Sequence, residues 1–351
     1  MDIYETTNML SAVEIIKPAR RFFLDTFFGR VETSAAESIM FDIIKGRRTV
    51  APYVSSRVAG KVIQKKGHKT LSYSPAYVKP FMVSTAADFL RRAAGEMMFG
   101  STKTPEDRAA EKLTEELAFL DDIITRRLEQ MCSEVVQTGK LVILGDDIED
   151  EIDFLMDPDN LPIFSGTALW SAHATASPLS DLRRLKKQAI NKSGVAPTDV
   201  ILGSNAYEDF LKCDEIIGSA TKKSLFDMSR IQMGQIDPRD LPDGITYIGR
   251  LTETGLDLWT YDEWYLDENS EEEIPMVNPD NIIMGSRTGG QGIQYYGAIK
   301  DVEAIESGLY AVPRYPKVWV EKNPSARMIM VQSAPLIVPK VIDSWICAKV
   351  H

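Results

Sequence analysis

The sequence predicts an α+β chain, and three observations carry that reading. From Thr104 to Thr138, Leu113, Leu117, Leu120, Ile124, Leu128, Met131 and Val135 recur at spacings of four and three, the period of a helix with one buried face. Ahead of it, "APYVSSRVAGKVIQKKGHKTLSYSPAYVKP" (Ala51 to Pro80) has a strand's β-branched and aromatic content but no run long enough for a core strand. After it, strand patterns such as "DVILG", "ITYIG" and "NIIMG" are interspersed with two helical ones, and the chain ends in strands with no helix of their own.

Residues 1–40 read as an N-terminal arm. Polar sequence flanks one amphipathic patch, "RRFFLDTFFG", whose Phe22, Phe23, Phe27 and Phe28 predict a single anchoring helix. Residues 41–82 read as an extended two-stranded hairpin with its turn near Lys66-Gly67. A lone hairpin is marginal in water, so this one needs a surface to lie on. "MVSTAADFLRRAAGEMM" then predicts a short strand and a helix.

The long helix has Thr104 as N-cap, Pro105 at the first helical position and Asp107 in the capping-box place, and Gly139 supplies a left-handed stop. At 1.5 Å per residue it forms a rod of about 50 Å. A compact domain of this mass rarely holds such a rod, so a flat or elongated molecule is expected. Its apolar stripe is narrow, which predicts packing on a sheet with the acidic side left open.

"KLVILGDDIEDEIDFLMDP" predicts strand, acidic turn and strand. From Pro158 to Pro178 the composition shifts to Pro, Gly, Ser and Ala, marking a domain boundary. Beyond it, Ser177-Pro178 opens a helix, "DVILG" is a strand, and Ser204 or Asn205 caps a second helix. "ITYIG", "LDLWTYDEWYL", "NIIMG" and "IQYYGAI" complete an α+β unit, 158–310. The last segment predicts two or three strands returning to the sheet under the long helix. The other unit is then discontinuous, 83–157 with 311–351, and 158–310 is inserted into it.

The chain has 351 residues and ordinary globular proportions, which suggests two or so domains. No window approaches the roughly 18 unbroken apolar residues of a spanning helix. "MDIYETTNML" is unlike a secretory signal, and Cys132, Cys213 and Cys347 read as reduced, buried thiols suited to cytoplasmic synthesis. The net charge of −11 argues against a sequence-reading nucleic-acid binder. Charge is segregated: Phe41 to Pro80 carries nine bases against one acid, and Thr104 to Asn160 carries seventeen acids against five bases. Leu251 to Asp280 holds ten acids and no base. Two readings stand: solvated faces that repel aggregation, or a basic hairpin that docks on an acidic surface such as another copy's.

Chemistry finds little support. "MGSRTGGQGIQYYG" has the glycine spacing of a Walker loop from Gly285 to Gly290, but Gln291 and Gly292 stand where Lys and Ser/Thr are required. The carboxylates Asp146, Asp147, Glu149, Asp150, Glu151 and Asp153 lack the register of a calcium loop and read as a solvated turn. His68, His173 and His351 show no paired metal spacing, and "SATK" (Ser219 to Lys222) lacks its partner motifs. No catalytic, cofactor-binding or metal residue is assigned.

"APYVSSRVAGKVI", "YSPAYVKP", "MGSRTGGQGIQYYGAI", "AVPRYPKVWVEKNP" and "ARMIMVQSAPLIV" together resemble the major capsid protein E family of lambda-like tailed phages, in order across nearly the whole chain. The resemblance implies the Hong Kong ninety-seven type fold. It has an N-terminal arm, an extended loop (41–82), a peripheral domain (83–157 and 311–351) with spine helix 104–138, and an axial domain (158–310). It implies a shell of pentamers and hexamers enclosing packaged double-stranded DNA, with scaffold, portal and decoration proteins as partners. It implies no enzyme, cofactor, membrane or sequence-specific nucleic acid, and a place in the virion after synthesis in the host cytoplasm. The hairpin then lies on a neighbouring subunit. The inter-subunit contacts expected are Arg57, Lys61, Lys65, Lys66, Lys69, Tyr73 and Tyr77 on the loop, with Phe27 and Phe28 on the arm. The acidic "DENSEEEIPMVNPD" departs from the family pattern. Alternatives are an encapsulin-like compartment shell, which shares the fold, and an intracellular hydrolase with an unrecognised site.

Overall fold

The computed structural model describes residues 6, 9–10, 13, 21–44, 68–85, 105–145, 148–217, 231–232, 244–267, 272–289, 291–323 and 325–351. Its longest element is a helix, α2, Pro105–Thr138, of 34 residues, about 50 Å long. Every residue of the predicted stripe, Leu113 through Val135, is buried, and Gly139 ends the helix at φ 72°. The predicted cap Thr104 and the helix expected after "MVST" lie outside the described residues.

The six-residue helix α1, Phe22–Phe27, forms where the aromatic patch predicts it. The acidic stretch folds as an antiparallel pair, β5 (Lys140–Gly145) with β6 (Ile148–Asp153). Against the spine lies an antiparallel sheet of β4 (Phe81–Thr85), β16 (Ser325–Gln332) and β15 (Tyr315–Lys322). Arg314, just before β15, joins this layer to the spine by donating to Asp121 at 2.7 Å.

The segment expected to form an inserted unit, 158–310, contributes five strands to a six-stranded sheet that β18 completes. The strand order is β18 (Ile346–Lys349), β13 (Asn281–Gly285), β7 (Asp199–Leu202), β10 (Leu256–Tyr261), β9 (Ile245–Leu251), β8 (Ile231–Gln232). Only β7 and β10 run parallel. Because strand side chains alternate between faces, this sheet divides its residues between two cores. Val200, Leu202, Leu256, Leu258, Ile282, Met284, Ile346 and Ala348 pack under helix α3 (Pro178–Ser193) and helix α4 (Ser204–Lys212). Ile201, Trp259, Tyr261, Ile283 and Cys347 face the other way, onto α1 and the spine. A bulge between Leu258 and Trp259 shifts the register midway along β10.

Three expectations change. Ser177-Pro178 opens α3 as predicted, but Gly203 caps α4 and Ser204 is already inside it. The tail forms four strands, and only β15 and β16 enter the expected sheet under the spine. β17 (Pro335–Val338) pairs with β14 (Ile293–Tyr296), whose other edge takes β1 (Arg30–Thr33) in parallel. β18 joins the inserted unit's sheet, because its alternating Ile346 and Ala348 complete that unit's core. Third, β2 (Ile39–Ile44) begins within the stretch read as arm and pairs with β3 (His68–Tyr73), Ile44 opposite His68; the predicted turn at Lys66-Gly67 lies outside the described residues.

Candidate assembly interface

The predicted contact residues divide into three groups. Arg57, Lys61, Lys65 and Lys66 lie outside the described residues. Lys69, on β3, is exposed. Tyr73 and Tyr77 are half-buried and engaged within the chain. The Tyr73 hydroxyl donates to Asp150 on β6 at 3.0 Å, and burial followed by that carboxylate pushes its pKa up to about 12. The Tyr77 hydroxyl donates to the Ala298 carbonyl at 2.6 Å and accepts from the Lys300 amide at 3.1 Å. Phe27 and Phe28 depart most from expectation: both are fully buried in their own chain. They anchor the arm rather than present a face to a neighbour, because ring area of this size is buried wherever the chain's own core offers room.

The arm's seat is made by residues distant in sequence. Phe22 lies 5.6 Å from Trp259 and 5.4 Å from Tyr261, ring to ring, and Phe27 meets Trp345 edge-on at 4.9 Å. The Gly292 amide donates to the Phe27 carbonyl at 2.8 Å. Glu129, fully buried on the spine, accepts from the Phe23 amide at 2.6 Å and the Leu24 amide at 3.1 Å. The helix's own N-cap position, Arg21, offers no side-chain cap. The glycine-rich stretch is therefore a close-approach device. A Cβ at Gly292 would stand 2.0 Å from the Phe28 ring, and one at Gly285 would stand 2.2 Å from Trp345.

The accessible concave surface is elsewhere, between the spine and the β5–β6 pair. A groove of about 650 Å³ is lined by Phe119 and Ile123 of α2, Val142 and Leu144 of β5, and Leu266 of β11 (Trp264–Leu266), with Arg126 and Arg127 at its edge. Phe119, Leu144 and Leu266 are each more than half exposed. Its charged lining is Lys79, Arg126, Arg127 and Asp267; Asp122 accepts from Arg126 at 3.0 Å, and Glu151 is paired across the strands with Val142. Apolar floor and charged rim are the composition of a protein-binding surface. The three exposed apolar side chains were legible in sequence only as unremarkable helix and strand residues.

Two polar clusters, each centred on a buried aspartate, carry no signal in the sequence. Asp199 accepts from Arg287 at 2.9 Å and from the Trp259 indole at 2.9 Å, with the guanidinium 4.8 Å above that ring. This explains Arg287 within the glycine-rich loop as structural. His173 and His351, far apart in sequence, meet on the two oxygens of Asp209 at 2.9 and 2.6 Å. No group of three or more His, Cys, Asp or Glu among the described residues is arranged to hold a metal ion. No described helix is long and apolar enough to cross a membrane.

The phage major capsid protein E family profile matches residues 5–350. The chain is 27% identical to the major capsid protein of Enterobacteria phage P21 over 359 residues, covering 100% of both chains. It is also 27% identical to the major capsid protein of Escherichia phage lambda, covering 99% of both. Among solved structures, a prophage capsid protein of Escherichia coli CFT073 superposes with a TM-score of 0.75 at 22% identity, over 99% of each chain. The capsid of Ralstonia phage GP4 reaches a TM-score of 0.50 at 10% identity, over 91% of this chain and 87% of that one. The fold is thus that of phage capsid proteins, of the Hong Kong ninety-seven type, and with the profile matched from one end to the other the chain belongs to the phage major capsid protein E family.

Proposed function

We propose that this chain is the major head protein of a lambda-like phage or prophage, assembling with copies of itself into a closed icosahedral shell around packaged double-stranded DNA. The single observation that carries this reading is the family match over residues 5–350. Subunits gather as pentamers and hexamers, first in the host cytoplasm and then as the virion, with a scaffold, a portal and a decoration protein as partners. The role is structural and not catalytic. The acidity of the chain suits it, because a strongly basic lining would hold the duplex by counterion release and impede its movement.

A shell requires many modest contacts rather than one tight one, since weak contacts let errors dissociate while closure makes the whole persist. The surface suited to such a contact is the groove beside the spine. Its occupant is the 45–67 segment of a second copy, in which Lys45, Arg47, Arg48, Arg57, Lys61, Lys65 and Lys66 face no acid within the segment. Asp122, Glu149, Asp150 and Glu151 beside the groove supply the opposite charge, which fixes register more than it adds affinity. Electron microscopy of the purified protein, with and without a scaffold partner, tests the reading. Shells or capsomers support it, and a uniform small particle under both conditions overturns it.

A further inference from the structure

Among the described residues, Glu129 is the carboxylate that the spine places into the seat of the arm. Both its oxygens are taken by amides of the first turn of α1, and aromatic rings of Phe22, Phe23 and Tyr261 surround that turn. Among the described residues no Lys, Arg or His pairs with it. The titratable and charged groups of the elements around it are few. Cys132 lies one turn along the spine, Tyr261 is on β10, and Tyr296 is on β14 beside Cys132. On α1, Arg21 and Asp25 pair with each other at 3.2 Å and stay partly exposed. Burial of this carboxyl is thus met by hydrogen-bond donors and, among the described residues, by no cationic side chain.

We propose that Glu129 is a proton-operated latch on the N-terminal arm: α1 sits firmly against the spine while this carboxyl carries a proton, and its hold weakens once the carboxyl is ionised. Burial penalises the charged form, the Phe23, Leu24 and Phe22 amides and the Tyr261 hydroxyl favour it, and burial wins, so the group titrates at about 7 rather than at the ordinary 4.5. When α1 lifts away the carboxyl meets water and returns to its ordinary value. The seated state therefore binds a proton that the lifted state releases. Seating is favoured at low pH and weakens as pH rises between those two values. The device sits where arm, spine and inserted sheet meet, so its setting decides whether these three move together. This goes beyond the shell reading and holds for the isolated subunit.

The test is amide hydrogen exchange on the full-length unassembled chain at pH 5.5 and pH 8, corrected for intrinsic exchange. Protection at Phe23 and Leu24 should fall by about tenfold or more over that interval, while spine amides near Leu117 stay level. Glu129→Gln, which cannot ionise and keeps one oxygen acceptor where two now accept, should hold one of those two amides protected and abolish the pH dependence. Level protection in the wild-type chain overturns the proposal, whether or not the variant folds. So does a Glu129→Gln chain that retains the wild-type slope.

Discussion

The ring of Phe28 is stacked on that of Trp345, centroids 6.3 Å apart and planes 11° apart, and each ring occupies space that a glycine leaves open. Arm and C-terminal segment thus meet ring to ring, with the glycine-rich loop folded around them. Substituting Gly292→Ala or Gly285→Ala forces a methyl group into an aromatic ring. Each should lower stability by about 2 kcal/mol or more, as overpacking of a close-packed core does. Urea unfolding midpoints measure this. Gly145→Ala, where an added Cβ meets nothing within 4 Å, should leave the midpoint unchanged.

Asp121 and Arg314 tie the spine to the β15 layer in a mostly buried pair. Asp121→Ala leaves the guanidinium desolvated beside Thr125 and Tyr296 and should cost about 3–5 kcal/mol. The double variant Asp121→Leu/Arg314→Met should recover most of that loss, because two apolar side chains leave no buried charge unmet. A double variant as unstable as Asp121→Ala would contradict this account.

Exposed apolar residues in the groove should matter for assembly and not for folding. Phe119→Asp and Leu144→Asp should shift subunit stability by no more than about 0.5 kcal/mol, as surface substitutions do, while shell yield collapses. Sedimentation separates shells from free subunits. Normal yields from both variants would remove the groove from the contact surface.

Reversing Lys61, Lys65 and Lys66 to Glu should block shell formation and leave a folded subunit with an unchanged circular dichroism spectrum. Shells of normal size and number from that chain would refute the charge pairing proposed for segment 45–67.

Asp209 contributes to the acid-side dependence of the inserted unit, alongside Asp280 and Asp301. Burial raises its pKa, but the hydrogen bonds of His351 and His173 and their fields together outweigh burial and set it below the ordinary 3.8. A carboxylate whose folded value lies below its unfolded one stabilises above the unfolded value, and that contribution disappears as pH falls through the lowered one. The wild-type chain should therefore lose stability below pH 3.8 by an increment that Asp209→Asn lacks, read as urea midpoints at pH 6 and pH 3.

Periodicity carried far in this chain and long-range pairing did not. The spine helix, the β5–β6 pair and helix α3 were legible because each declares itself within a few neighbouring residues, through a stripe, an alternation or a cap. Strand β18 was misplaced because four residues hold no record of which sheet they join, and only the two-faced packing of Ile346 and Ala348 against Cys347 decides it. Phe27 and Phe28 announced an anchor, but whether the socket is internal or in a neighbour depends on Gly292 and Trp345, more than 260 residues away by count along the chain. Glu129 had a local signal: it interrupts the spine's buried side, between Thr125 and Ser133 at helical spacing, all three buried. A carboxylate in that position asks for a partner, and the sequence does not say where the partner is.

Trp345 and the strand after it serve both cores of the chain: Trp345 and Cys347 on the arm's side of the sheet, Ile346, Ala348 and Val350 on the other. One short strand thereby couples the two halves mechanically. Prying it out by force would open both cores in a single step, so a pulling experiment should show one rupture rather than two.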